Sequence, residues 1–128
     1  MTTTVTVDIP TRWKLSANGR LHWAVKGQRT GWIRTLAYVR TRTDAAGATY
    51  ERVHILATIA YPPPRRRRDV TNAMPMVKAC VDGLVDAGLL PDDDDTRVVG
   101  PDLRPDPEPA PPGYYRITLT ITPLEPAC

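Results

Sequence analysis

The stretch from Arg65 to Val99, RRRRDVTNAMPMVKACVDGLVDAGLLPDDDDTRVV, concentrates residue types suited to phosphate-ester chemistry. Arg65, Arg66, Arg67 and Arg68 form a cationic block that can hold phosphates, and Asp69 follows directly. The run Asp92 to Asp95 closes the stretch. Carboxylate oxygens are the natural ligands of a hard divalent cation. Such a cation polarises a phosphate and lowers the pKa of an attacking water. Lys78, between the two groups of aspartates, is suited to stabilising the charge that develops in the transition state. Cation, carboxylates and arginines together point to phosphodiester chemistry on nucleic acid.

Taken singly, each part has a plainer reading. Four aspartates in a row are more often a solvated acidic turn than a metal site, and four arginines are more often a solvated patch. Asp82, four residues after Lys78, reads first as its ion-pair partner on the polar face of a helix. Asp69 precedes that helix and the acidic run follows it, so the two meet only if the fold returns the run toward the start of the helix.

A second stretch, Thr11 to Lys26, interleaves Arg12, Lys14, Asn18, Arg20, His22 and Lys26 with Trp13 and Trp23. Basic side chains contact phosphates and aromatic rings stack on nucleobases. Both tryptophans serve equally well as plugs at the edge of a core, with the basic groups simply solvated.

The elements that must position these residues can be read from periodicity. Thr2 to Ile9 alternates, with Val5, Val7 and Ile9 on one side, and reads as a half-buried strand ended by Pro10. Thr11 to Lys26 reads as a loop with a turn at Asn18-Gly19. Gly27 to Arg42 reads as a helix whose apolar stripe is Trp32, Leu36, Tyr38 and Val39, extended by Ile33. Thr43 to Thr49 is a turn. Tyr50 to Tyr61 is apolar on both faces and is expected to be a central strand. Pro62-Pro63-Pro64 then stops it. Asn72 to Ala87 is the second helix, with Val77, Cys80, Val81, Leu84 and Val85 at helical spacing, Thr71 or Asn72 as its cap, and Gly88 at its C-terminal end. Arg97 to Val99 begins a short strand, Gly100 to Gly113 reads as a proline-rich loop, and Tyr114 to Thr122 alternates as a last strand. Pro123 to Cys128 is a tail. This order predicts an α/β (α+β) fold in one domain, residues 1–128: a single mixed β-sheet with two α-helices packed on it.

The chain has 128 residues, 41% of them hydrophobic, which suffices for one core. With no phenylalanine that core rests on Val, Leu, Ile, Ala and Met. The formal charge is only +3, but basic residues crowd into 12 to 43 and 65 to 68 while acidic residues crowd into 82 to 108. Such a dipolar molecule can hold a polyanion on one surface and a metal elsewhere. Two cysteines, Cys80 on an apolar helix face and Cys128 at the end, make no disulfide framework, and Cys128 is expected to be mobile. Met1 to Pro10 has neither the basic start nor the apolar core of a signal peptide, and no apolar run reaches the roughly 20 residues of a membrane span. A cytoplasmic protein without membrane contact is expected.

The order Arg65-Arg66-Arg67-Arg68-Asp69-x-x-Asn72, Lys78, Asp82-Gly83-Leu84, Ala87-Gly88, Asp92-Asp93, Val98-Val99 resembles the RusA family of Holliday junction resolvases, in particular its phage and prophage members. Asn18-x-x-x-His22-Trp23 with its following basic residues is similar to the phage members too. The resemblance runs from about Val5 to Ile121. It implies a RusA-like domain and a magnesium-dependent homodimer, with manganese as a possible replacement, that nicks branched DNA such as a four-way junction in pairs. By position it implies Asp69, Lys78 and Asp93 as catalytic residues. Asp69 and Asp93, assisted by Asp92, are expected to hold the metal, and Arg65 to Arg68, Asn72, Arg12, Lys14, Asn18, Arg20, His22 and Lys26 are expected to form the DNA surface. Thr71 stands where the family carries a second aspartate, and a threonine hydroxyl holds magnesium poorly. Asp92, Asp94 or Asn72 is then expected to supply the missing oxygen, or the metal is weakly held, or the protein binds junctions without cutting them. A plain structural phage protein without DNA contact is the third class of reading.

Overall fold

A computed structural model describes residues 2–125. Its strands and helices follow in the order β1 (Thr3–Pro10), α1 (Trp23–Asp44), β2 (Val53–Ala60), α2 (Met74–Asp86), β3 (Val98–Pro105) and β4 (Tyr114–Pro123). The four strands form one mixed sheet in the order β1-β4-β2-β3. β4 runs antiparallel to both β1 and β2, whereas β2 and β3 are parallel. A parallel pair cannot be closed by a hairpin, and α2 provides the crossover between its strands.

Alternation decides which face is buried. Val5 pairs with Leu119, Leu119 with Ala57, and Ala57 with Leu103, so one row of side chains crosses the whole sheet. Val7, Ile117 and Ile59 form the next row. These residues are buried and form one core with the helices. The sheet residues expected from sequence, including Ile9, Val53, Ile55 and Ile121, all lie in that core. β2 is an inner strand, as its apolar character predicts, but His54, Leu56 and Thr58 on its second face are only half-buried.

α2 presents Val77, Cys80, Val81 and Leu84 to the core in the expected pattern. Cys80 is fully buried, and burial pushes its thiol up to about 12; Cys128 lies outside the described residues. The entry to α2 differs from expectation. A 3-10 turn, Val70–Ala73, precedes the helix, and Asp69 caps that turn. Ala73 stands at the N-cap of α2 without a side-chain bond, so Thr71 and Asn72 belong to the turn. At the other end Gly88 takes φ of +85° and Leu89 N–H reaches back to the Leu84 carbonyl at 3.1 Å, closing the helix as a C-terminal glycine does.

α1 departs more from its sequence reading. It begins at Trp23, not Gly27, because the His22 imidazole accepts the Ala24 N–H at 3.1 Å and caps the helix. Its buried residues are Ile33, Ala37 and Thr41. Trp32 and Val39 do not cover the sheet: they are 46% and 49% exposed, whereas Ile33 of the expected stripe is buried in the core and Leu36 packs partly against it. The cause is the closeness of α2. A Cβ at Gly83 would lie 2.6 Å from Ala37 Cβ and 2.6 Å from the Arg34 carbonyl oxygen. Only small residues fit that contact, so the bulky ones face outward.

The proline-rich loop is also shorter than expected. β3 continues through Gly100 and Pro101 to Pro105, leaving 106–113 as the loop. An edge strand tolerates proline because one side needs no ladder donor. Gly100 sits at the register shift between β2 and β3 with φ of +98°, and a Cβ there would meet the Ile55 carbonyl oxygen at 2.8 Å. Among the described residues no helix is long and apolar enough to cross a membrane.

The helix contact generates a stability prediction. Gly83→Ala forces apart a packed interface and should cost about 1–3 kcal/mol. Gly27→Ala places its methyl in open space on α1. It should be neutral or stabilising by up to about 1 kcal/mol. Urea denaturation of the two variants tests the contrast, and equal effects would refute the close-approach account.

Candidate functional site

Pro62 to Pro64 carry the chain off the end of β2, and Arg65, Arg66 and Arg67 emerge exposed. Arg68 turns back, its guanidinium carbon 4.6 Å from the centre of the Tyr61 ring. Tyr61 in turn meets Tyr115 edge-on at 6.2 Å, which anchors that platform. Among the described residues none of the four arginines forms an ion pair, so their donors remain available to a phosphate. They line an open groove of about 930 Å³ together with Asp69, Asp106 and Glu108. The last two lie just beyond the end of β3 and carry the charge opposite to that of the arginines. Sequence reasoning missed them. The signal was present in Pro105-Asp106-Pro107-Glu108-Pro109, where stiff prolines flank two acids, but it was absorbed into a loop.

Asp69 begins the turn into α2. Its Oδ1 accepts both the Thr71 N–H at 3.0 Å and the Thr71 hydroxyl at 2.7 Å. The Thr71 hydroxyl and N–H bonds hold the Asp69 carboxyl below its usual range. Thr71 is therefore engaged as a donor to Asp69. Asp69 Oδ2 has no hydrogen-bond partner among the described residues.

Lys78 lies farther along α2. Its ammonium donates to Asp82 Oδ1 at 3.0 Å and also to Asp93. The acidic run thus folds back as far as the second and third turns of α2. Asp93 N–H donates to Asp92 Oδ1 at 2.7 Å, which fixes the two neighbours together. The Lys78 bond draws the Asp93 carboxyl below its usual range against the opposing effect of burial. Partial burial disfavours the Lys78 ammonium, but Asp93 and Asp82 outweigh it and hold Lys78 above its usual value. Asp94 plays a different part. Its Oδ1 accepts the Thr96 N–H and hydroxyl, building the turn into β3.

The structure therefore brings Lys78, Asp82, Asp92 and Asp93 together and leaves Asp69 bonded to Thr71. Carboxylate oxygens suit magnesium in kind, and magnesium takes one or two carboxylates while keeping several waters. Among the described residues no three or more His, Cys, Asp or Glu side chains converge as a metal-holding group. Asp82, Asp92 and Asp93 gather at Lys78 and Asp69 is engaged with Thr71; these oxygen donors do not form one assembled set.

The basic loop joins the same region. Ala17 N–H donates to the Asn72 carbonyl at 3.1 Å, tying the loop to the turn that Asp69 caps. Asn72 itself is half-buried, and its N–H returns to the Asp69 carbonyl. Arg12, Lys14, Asn18, Arg20, His22 and Lys26 are all exposed. Arg12 lies over Trp13 at 5.7 Å, and Trp13 packs against Trp32 at 5.5 Å. Trp13 plugs the core edge, while Trp23 is 80% exposed.

The Lys78 pair predicts a pH dependence. Asp93 is shifted down in the folded chain, so its contribution to stability is complete above the unfolded carboxylate value of about 4 and is lost as pH falls through the folded value. Lys78 is more than half exposed. The contribution should therefore stay below about 1 kcal/mol. Asp93→Asn should lose that increment at pH 7 and match the parent near pH 2; denaturation midpoints across pH 2–7 measure it, and a constant difference would refute the assignment.

A scan against models of known protein families finds no match to this chain, and a search of curated proteins finds none either.

Proposed function

We propose that this chain is a structure-selective endodeoxyribonuclease of the RusA type, cutting four-way or otherwise branched DNA in the cytoplasm as a magnesium-dependent homodimer. The observation that carries the reading is the Lys78–Asp93 pair on the face of α2 that follows the Asp69 turn, with four unpaired arginines leading into that turn. Phosphate-gripping cations, a lysine and carboxylates then follow one another along a single connection from β2 to β3.

In this reading Arg65 to Arg68 hold the backbone phosphates on either side of the cut. Asp69, Asp92 and Asp93, which stand as two separate groups in this structure, would hold magnesium once drawn together by it; when bound it supplies Lewis-acid polarisation and an acidified water. Lys78 needs only to exchange one of its two carboxylate partners for a phosphate oxygen to stabilise the developing charge. Asp82 remains to keep it oriented.

A second reading, a binder of branched or double-stranded DNA that does not cut, is favoured by one observation: Thr71 donates to Asp69 where another carboxylate is wanted. A labelled four-way junction titrated with magnesium or manganese separates the two, since both proteins retard it and only the enzyme nicks it.

Variants sharpen the test. Asp69→Asn should lower cleavage by at least about a hundredfold, the scale of a lost charge-stabilising group, and leave junction binding equal or tighter. Thr71→Asp should raise cleavage or lower the metal requirement. Replacing Arg66 and Arg67 by alanine should weaken binding of all sequences and reduce the salt slope by up to about two. Cleavage by Asp69→Asn at the parent rate would remove Asp69 from the site.

A further inference from the structure

Twelve consecutive residues, Ala17 to Gln28, are exposed. The segment is rooted at the candidate site, because Ala17 is the residue bonded to Asn72. It ends in the first turns of α1. Trp23, Thr30 and Ala37 follow at intervals of seven and share one face of that helix. At Ala37 this face is buried against the rest of the molecule, and at Trp23 the ring is 80% exposed. Leu21 and Val25 beside it are exposed at 38% and 37%. Gly27, within the projecting turns, has nothing within 4 Å of a would-be Cβ. The core-facing stripe of α1 thus runs out past the core and carries a tryptophan at its free end.

An aromatic ring left in water is a poor choice unless something covers it in use. The surrounding charge identifies the partner. From Ile9 to Thr43 the chain has eight Lys or Arg residues and no Asp or Glu. Arg20, His22 and Lys26 lie on the arm itself, and the Arg29 guanidinium at its base donates to the Lys14 carbonyl at 2.9 Å. The His22 ring sits 5.4 Å from the Trp23 ring, tilted by 31°. A flat ring among cations suits a nucleobase whose phosphates are gripped on both sides. Bases inside a duplex are already stacked, and entering them means unstacking a step, whereas bases at a branch are less firmly held.

We propose that Ala17 to Gln28 is a base-stacking arm and that Trp23 stacks on nucleobases exposed at a DNA branch point, making it the residue that prefers branched over plain duplex DNA. The proposal rests on the DNA-binding reading above and adds to it the origin of structure selectivity.

The test uses the full chain with two DNAs carrying 2-aminopurine, one at the centre of a four-way junction and one within a duplex. The parent should quench the junction probe strongly and the duplex probe little. Trp23→Leu should abolish that quenching and weaken junction binding by roughly tenfold or more, the scale of one lost base stack, with a several-fold smaller effect on duplex. Trp23→Tyr should restore most of both. Parent-like quenching and affinity in Trp23→Leu would overturn the arm and leave the nuclease reading standing. Equal loss on junction and duplex would overturn its selectivity. A parent that binds neither DNA at low salt would overturn both readings, and a change of oligomeric state in Trp23→Leu without change in DNA binding would assign the ring to a protein interface instead.

Discussion

The approach of α1 to α2 at Ala37 and Gly83 governs where the rest of the molecule can stand. With a would-be Cβ only 2.6 Å from its neighbours, the two helices touch almost backbone to backbone. Dispersion and burial are then gained through Ile33, Ala37 and Thr41 on one side and the apolar face of α2 on the other. Arg34 straps the contact from outside, its Nε and Nη2 donating to Asp86 at 2.5 and 2.7 Å. Because α2 also forms the crossover between parallel β2 and β3, the same contact positions Lys78 and, through α1, the Trp23 arm. Two surfaces of different chemistry are thereby fixed to one rigid junction.

The two surfaces differ in how their charges are disposed. On α2, Lys78 stands among Asp82, Asp92 and Asp93, so acid outweighs base and a cation is attracted. Along the groove, Arg65 to Arg68 face Asp69, Asp106 and Glu108, nearly in balance. On α1 and the loop before it no acid intervenes between Asp8 and Asp44. The stretch from Ile9 to Thr43 therefore carries an uncompensated positive field, whereas in the groove the arginines are offset by nearby acids. The formal charge of +3 conceals this separation.

Much of the fold was legible because its signals are local and periodic. Val5-Val7-Ile9 and Ile117-Leu119-Ile121 can be buried only as strands with one wet face, and the Val77–Leu84 spacing fits only a helix. α1 was misread where tertiary contact overrode amphipathicity: hydrophobicity selects Trp32 and Val39, but the closeness demanded by Gly83 selects Ala37. β3 was cut short at Val99 because Gly100, Pro101 and Pro105 argue against a strand, and only its place at the sheet edge makes them acceptable. At the site, the pairing of Lys78 with Asp82 follows from i, i+4 spacing. The return of Asp93 to Lys78 does not, since it depends on how Leu89 and Leu90 are buried before the acidic run.

Thr71 shows how one side chain can satisfy a turn from within. An aspartate side chain at that position could not donate a proton to Asp69 at neutral pH; two carboxylates would instead repel unless a cation lay between them. Threonine removes the repulsion by donating its hydroxyl, so the turn from Asp69 to Ala73 is satisfied by its own residues. The entry to α2 thereby becomes independent of any bound ion, and the Ala17–Asn72 bond that roots the arm becomes independent of it as well. The basic loop and the arginine block are thereby held by protein contacts alone, Ala17 to Asn72 and Arg68 to Tyr61. In the proposed reading, binding and cutting are then physically separable, with the residues at 65–68 and 12–26 serving the first and the residues around Lys78 the second.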